Sequence, residues 1–503
     1  MLLEPDISDD EHIAAEGAAP EGLAPAPIRS LYEVTGPSAL PNTGMRGTSG
    51  HVLEPDFVTR GIVTLAEAEQ LTKLYLARLD PFFYHHLQNY SNLAEIRKAS
   101  TLLTVTICIV AALHDPLGSE AYEKLSTELR SVVSSLMFRH RLGLDDIKAL
   151  CMASYWLPDM TWILSALTLR KAISMQYHTA HLSQPAGDEH SFHRSQMWLL
   201  IYLSNEQISI LQGAPLSTIN RSLINWRAHM NSAFSSEGDL RLTSHIDLLL
   251  ILGRARELFG LDPRKPVPEG LTSSIHDIIA QIDEWGRTWS GRLARNQWLG
   301  DFPSEAVRLH WQFARFYICS YAFRGLNLGH SGPAPMPTGL RDIAHVAIST
   351  ANSILDLLIE SEPMRACLVG VPHYFHTMFA FAVVFLLKVA TRYREFLDID
   401  VVAALETSKR VLQVFQQRPA ARQHLVHRIS KGLKDMIEQA EKQVVANGHK
   451  GTELASGAHP LLASDNIDQD SLALPPDMAQ WLDLDNGDFL SMPLHSWNWD
   501  LET

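Results

Sequence analysis

Apolar residues recur at intervals of three and four along most of this chain, and runs that alternate every second residue are scarce, so the pattern predicts helices and no sheet. The clearest stretch is WLLIYLSNEQISILQGAP, from Trp198 to Pro215. Trp198, Ile201, Tyr202, Leu203, Ile208 and Leu211 fall near one helical stripe, Glu206 interrupts the apolar face, and Gly213 followed by Pro215 ends the helix. Upstream, Thr64 and Glu67 form a capping box before the stripe Leu65, Ala68, Leu71, Tyr75 and Leu79, and Pro81 closes that helix. The same reading predicts helices near 95–113, 119–139, 144–156, 161–180, 191–212, 240–260, 271–295, 303–326, 339–360, 369–391, 399–416 and 420–445. Pro and Gly clusters such as LDPRKPVPEG and GHSGPAPMPTG separate them. The expected fold class is all-α: one large multi-helix domain over residues 60–445, between a disordered acidic lead-in at 1–59 and an acidic, aromatic tail at 446–503.

Charge sharpens this division. The net charge of -14 is concentrated at the ends: residues 1–59 carry two basic and ten acidic side chains, and residues 451–503 carry none and ten. The remainder is slightly basic and has no basic cluster, which gives it little electrostatic reason to hold a polyanion such as DNA by itself. No window reaches the roughly 18–20 continuous apolar residues of a membrane span, so no membrane partner is expected. The beginning, MLLEPDISDDEH, is acidic where a secretory or mitochondrial signal is basic.

Candidate chemistry changes the picture little. Cys108, Cys151, Cys319 and Cys367 lie far apart in apolar surroundings and read as reduced core residues. The 23 histidines include four His-x-x-His pairs: His178 and His181, His190 and His193, His373 and His376, His424 and His427. Residues three apart share a helix face and could supply two ligands. Without His-Glu-x-x-His, or a Glu three residues before any His, the expectation is no metal site. A phosphate loop, a dinucleotide fingerprint and a nucleophile elbow are also missing, so no catalytic residue is assigned. Asp145 and Asp146 read as first-turn acids favouring a helix N-terminus.

The order of residue types in Trp198–Pro215 resembles a signature of the fungal transcription factor middle homology region, the helical regulatory domain that usually follows a binuclear zinc cluster. Trp198, Tyr202, Glu206, Ser209, Gly213 and Pro215 fit that pattern, while Ala214 stands where Arg is usual. Trp162, Arg170, Ala172 and His178 resemble the helix that ends in Gly-Leu-His in that family, with Gln176 and Tyr177 replacing Gly and Leu. Ile28–Thr35, IRSLYEVT, resembles the linker between cluster and middle region, and HWQFARFYICSYAFRG and PHYFHTMFAFAVVFLLK resemble late helices of one branch. These residues are expected to be structural. The resemblance implies a nuclear regulator of a metabolic or biosynthetic gene set, forming homodimers or heterodimers. The family's zinc belongs to a six-cysteine cluster that four scattered cysteines cannot build, so no cofactor is expected here. DNA would then be reached only indirectly or through a missing N-terminal cluster, by a shortened factor or by a co-regulator.

From Asp465 onward the tail intersperses acids with Trp481, Leu482, Leu484, Phe489, Leu490, Trp497 and Trp499. Mutual repulsion of the acids keeps such aromatics available to a partner with a hydrophobic groove, which is how an acidic activation segment would engage a coactivator or the transcription machinery. The alternative for the tail is docking onto the chain's own helical domain. The alternative for the whole chain is a helical metabolic enzyme or small-molecule carrier, with a deep pocket where several of His178, His193, His310 and His376 converge with a carboxylate.

Overall fold

The computed structural model describes residues 56–139, 142–182, 188–213, 221–260, 265–326, 338–394 and 397–455, with isolated positions between them. Within these residues the protein is all-α. The only β pairing among them is a single bridge between Asn296 and Gly300.

The helices are α1 (Leu65–Leu74), α2 (Leu93–Ala99), α3 (Thr101–His114), α4 (Ser119–Leu136), α5 (Leu144–Trp156), α6 (Thr161–Ser174), α7 (Glu189–Leu211), α8 (Trp226–Met230), α9 (Glu237–Phe259), α10 (Thr272–Ser290), α11 (Phe302–Cys319), α12 (Thr338–Glu360), α13 (Glu362–Cys367), α14 (His373–Arg392), α15 (Val401–Gln416) and α16 (Leu425–Ala455). Local chemistry sets their starts. Thr64 Oγ1 accepts from Glu67 N at 3.2 Å to cap α1, and Asp188 accepts from Ser191 N at 3.0 Å to cap α7. In α9 the exchange is reciprocal, with Ser236 Oγ accepting from Asp239 N and Asp239 Oδ2 accepting from Ser236 N at 2.9 Å.

Two helices are buried almost all round and organise the rest. From Leu102 to His114 every residue of α3 is buried, between α1, α4 and α5. The apolar helix α14 lies against α12, α15 and α16, and also meets α5 and α7. Its length and composition would suit a membrane span, but 72% of its apolar window is covered by neighbouring helices.

The structure divides several predicted elements. The helix expected over 95–113 breaks at Ser100, which adopts an extended backbone, closes α2 and caps α3 by accepting from Leu103 N at 3.0 Å. Its hydroxyl donates to Asp146 Oδ1 at 2.6 Å, so a contact 46 residues away holds the break. Periodicity runs through such a break because both halves face one core. The first predicted helix also changes the spacing of its hydrogen bonds: after Leu74 it widens into a π-turn over Tyr75–Leu79, then tightens into a 3₁₀ turn over Asp80–Phe83 that contains Pro81. Cys108, Cys151 and Cys319 are buried and free, and Cys367 is half-buried.

Candidate functional site

The Trp198–Pro215 stretch forms α7 and its cap. Trp198, Tyr202, Glu206 and Ser209 are all buried, while Gly213 takes a left-handed φ of 56° immediately past the helix, the conformation that glycine adopts without a Cβ penalty. Pro215 lies outside the described residues. Glu206 faces the fully buried Arg256 of α9, with Oε2 3.8 Å from Nη1, and Arg256 Nη2 donates to Ser209 Oγ at 2.9 Å. The acidic break in the apolar stripe is therefore half of an interhelical ion pair that joins α7 to α9. Burial, followed by the nearby Glu206 charge, pushes the Tyr202 phenol upward. Such a pair positions two helices and offers no group to a substrate.

The remaining residues of the resemblance lie elsewhere. His178 is half-buried with its ring 5.8 Å from that of Trp198. Trp162 and Arg170 are exposed on α6. The tail residues Trp481, Leu482, Leu484, Phe489, Leu490, Trp497 and Trp499, and the segment Ile28–Thr35, lie outside the described residues.

A second polar centre was not visible as a motif. After the 3₁₀ turn, Tyr84 and His85 both take left-handed backbones, with φ of 57° and 59°. Two consecutive non-glycine residues in that region store strain that the surroundings must hold. Gly238 of α9 makes room for the turn, since a Cβ there would lie 2.4 Å from Tyr84 O. Arg241 Nη2 donates to Pro81 O at 2.9 Å, and Asp80 Oδ1 accepts from Leu87 N at 3.2 Å. Held in this way, the Tyr84 hydroxyl meets His245 Nδ1 at 2.9 Å and Tyr155 Oη at 3.3 Å.

Tyr84, Tyr155, Arg241 and His245 line a cleft together with Phe82, Phe302 and Phe375. It has room for about one or two ordered waters. Burial governs the titration of the groups in and around it. The Asp80 carboxyl is pushed up to about 7, against the opposing pull of the Leu87 amide, Lys148 and Arg241. His245 falls well below the usual range through burial and the neighbouring His310, and His310 falls to about 4 through burial. The cleft is thus lined by one neutral imidazole, His245, with His310 stacked behind it, beside the Arg241 guanidinium.

The four histidines of the pocket alternative meet different neighbours. His178 lies by Trp198, His193 lies 3.6 Å from Glu189, His310 stacks on His245 with ring centres 4.1 Å apart, and His376 faces His424 at 5.4 Å. Among the described residues there is no group of three or more His, Cys, Asp or Glu side chains that could hold a metal ion. Asp145 and Asp146 are engaged structurally: Asp145 accepts from Tyr90 Oη at 2.7 Å, and Asp146 from Gly143 N at 3.0 Å.

No family model matches the chain. It is similar to two proteins that each bear the name transcriptional activator of proteases prtT. The one from Emericella nidulans is 30% identical over 455 residues, covering 88% of this chain and 67% of the relative. The one from Aspergillus clavatus is 20% identical over 314 residues, covering 57% of this chain and 46% of the relative. The chain spans about two thirds of the first relative's length and less than half of the second's.

Proposed function

Since this chain belongs to the family of fungal transcription factors that includes these prtT activators, we propose that it is a nuclear transcription activator whose helical body, residues 60–445, regulates an acidic, aromatic activation tail. The observation that carries this reading is the similarity along 88% of the chain to a named activator. The tail supports it, because its acids and its large apolar residues together suit a groove on a coactivator or on the transcription machinery.

The target genes are a metabolic set, and the relatives' name makes genes for proteases the first candidates. Contact with DNA is made by a zinc-cluster segment outside this sequence or by a partner protein, since four separated cysteines do not form a closely spaced thiolate cluster. The chain itself needs no cofactor and performs no catalysis. Homodimerisation or pairing with another factor completes the proposal.

Fusing residues 451–503 to a neutral DNA-binding module tests the activation role. The fusion is expected to raise reporter transcription well above the module alone, and replacing Trp481, Phe489 and Trp497 with Ala is expected to return it to background. An inert intact tail would remove the activation role from this segment.

A further inference from the structure

The side of α6 turned away from the core carries an apolar surface that the folded body leaves uncovered. Trp162 is 51% and Ile163 68% exposed, and helical spacing extends two adjacent ridges from them: Trp162, Ala166 and Arg170, and Ile163, Leu167 and Lys171. Lys171 Nζ donates to Arg139 O, which brings the end of α4 to the foot of the second ridge. Beside that contact Phe138 is 87% exposed, and Met137 is exposed with it. An apolar surface of this kind on a folded domain marks an interaction site.

Its rim is basic. Arg139 and Arg170 are exposed, and among the described residues no carboxylate forms an ion pair with either. At the other end of α6 the acidic neighbour, Asp159, is occupied by Arg428 of α16, with Oδ1 2.7 Å from Nη1. The surface therefore asks for an occupant with large apolar side chains flanked by acids. The segment DMAQWLDLDNGDFL, Asp477 to Leu490, has that composition.

We infer that Asp477–Leu490 of this same chain docks on the exposed face of α6, with Trp481, Leu484 and Phe489 covering Trp162, Ile163 and Phe138 while Asp483, Asp485 and Asp488 face Arg139, Arg170 and Lys171. The chain is long enough. The Arg428–Asp159 pair fixes the beginning of α16 beside α6, and the helix carries the chain about 40 Å from there to Ala455 at 1.5 Å per residue. About 25 residues then separate Ala455 from Trp481 and reach up to roughly 85 Å when extended. A tethered segment meets such a site at an effective concentration near the millimolar range, so a weak contact is populated. Docking withholds the aromatic residues that the proposed activation role needs, so a partner that binds the tail competes with α6. That regulatory consequence rests on the proposed function; the docking itself does not.

The test uses the full chain with a photoreactive benzophenone amino acid at position 162, and in a second protein at 163, both exposed enough to accept it without disturbing the core. Irradiation is expected to yield crosslinks within one chain, mapped by mass spectrometry to residues 477–490. The variant D483N/D485N/D488N should lower their yield about fivefold, the loss of a few partly screened ion pairs. Crosslinks confined to a second copy, or to other parts of the chain, overturn the inference, as does a yield that neutralising the acids leaves unchanged. Reporter activation by the isolated tail lacks α6 altogether, so failure there removes the activation role and leaves the docking result standing.

Discussion

Asp80 shows how one buried carboxyl ties local backbone to pH. It lies at the turn where the first helix changes hydrogen bonding, faces Tyr75, His85, Lys148 and Arg241, and holds Leu87 N through Oδ1. Its folded value near 7 exceeds its ordinary value of 3.8, so the folded state binds a proton that the unfolded chain has released between these values. This contribution to stability is fully present below about 4 and is lost as pH rises through 7, by up to about 1.4 kcal/mol per pH unit. Asp80→Asn keeps an acceptor for Leu87 and removes the titration. Urea unfolding at pH 5 and pH 8 is expected to show the variant gaining stability over wild type at the higher pH. An unchanged difference between the two pH values would place the carboxyl outside this account. At Gly238 the argument is steric: Ala favours a helix, but its Cβ would meet the Tyr84 carbonyl at 2.4 Å. Gly238→Ala is expected to lose about 1–3 kcal/mol in thermal or urea unfolding despite its better helix propensity. None of this was legible beforehand, because Tyr84 and His245 are 161 residues apart and neither belongs to a spacing pattern.

At the scale of elements, periodicity recovered most helices because it reports which face is buried, and almost every helix here buries one face in a common core. It failed where a tertiary contact cuts a helix, as Asp146 does at Ser100, and where the helix changes type after Leu74. Within α7 the sequence showed that Glu206 interrupts an apolar stripe, but the identity of its partner needed the structure, since Arg256 lies on another helix. The pair carries a sharp prediction. Glu206→Gln leaves the Arg256 guanidinium buried with less compensation and is expected to cost about 3–5 kcal/mol in equilibrium unfolding. Replacing both partners, with Glu206→Gln and Arg256→Met, should restore a large part of that loss, whereas a surface ion pair would show little effect in either variant.

For the whole molecule, charge distribution and residue order carried more information about function than any cluster of reactive groups did. The acidic ends, the helical centre and the signature around Trp198–Gly213 pointed to a transcription factor, and the similarity to the prtT activators places the chain in that family. The interior polar groups serve architecture: Glu206 and Arg256 join helices, and Tyr84, His245 and Arg241 secure a strained turn beside a small cleft. The exposed face of α6 escaped the sequence reading for a simple reason. Trp162 and Ile163 look like core residues until the neighbouring helices are seen to cover the opposite side.

The central claim is that this chain activates transcription through its acidic, aromatic tail. It is tested most directly by tethering residues 1–503 to a promoter through a neutral DNA-binding module and measuring transcript output beside the Trp481→Ala, Phe489→Ala and Trp497→Ala triple variant at equal protein level. Activation by the wild-type chain and its loss in the variant are expected; equal output from the two, or none above the module alone, would show that the tail does not activate transcription.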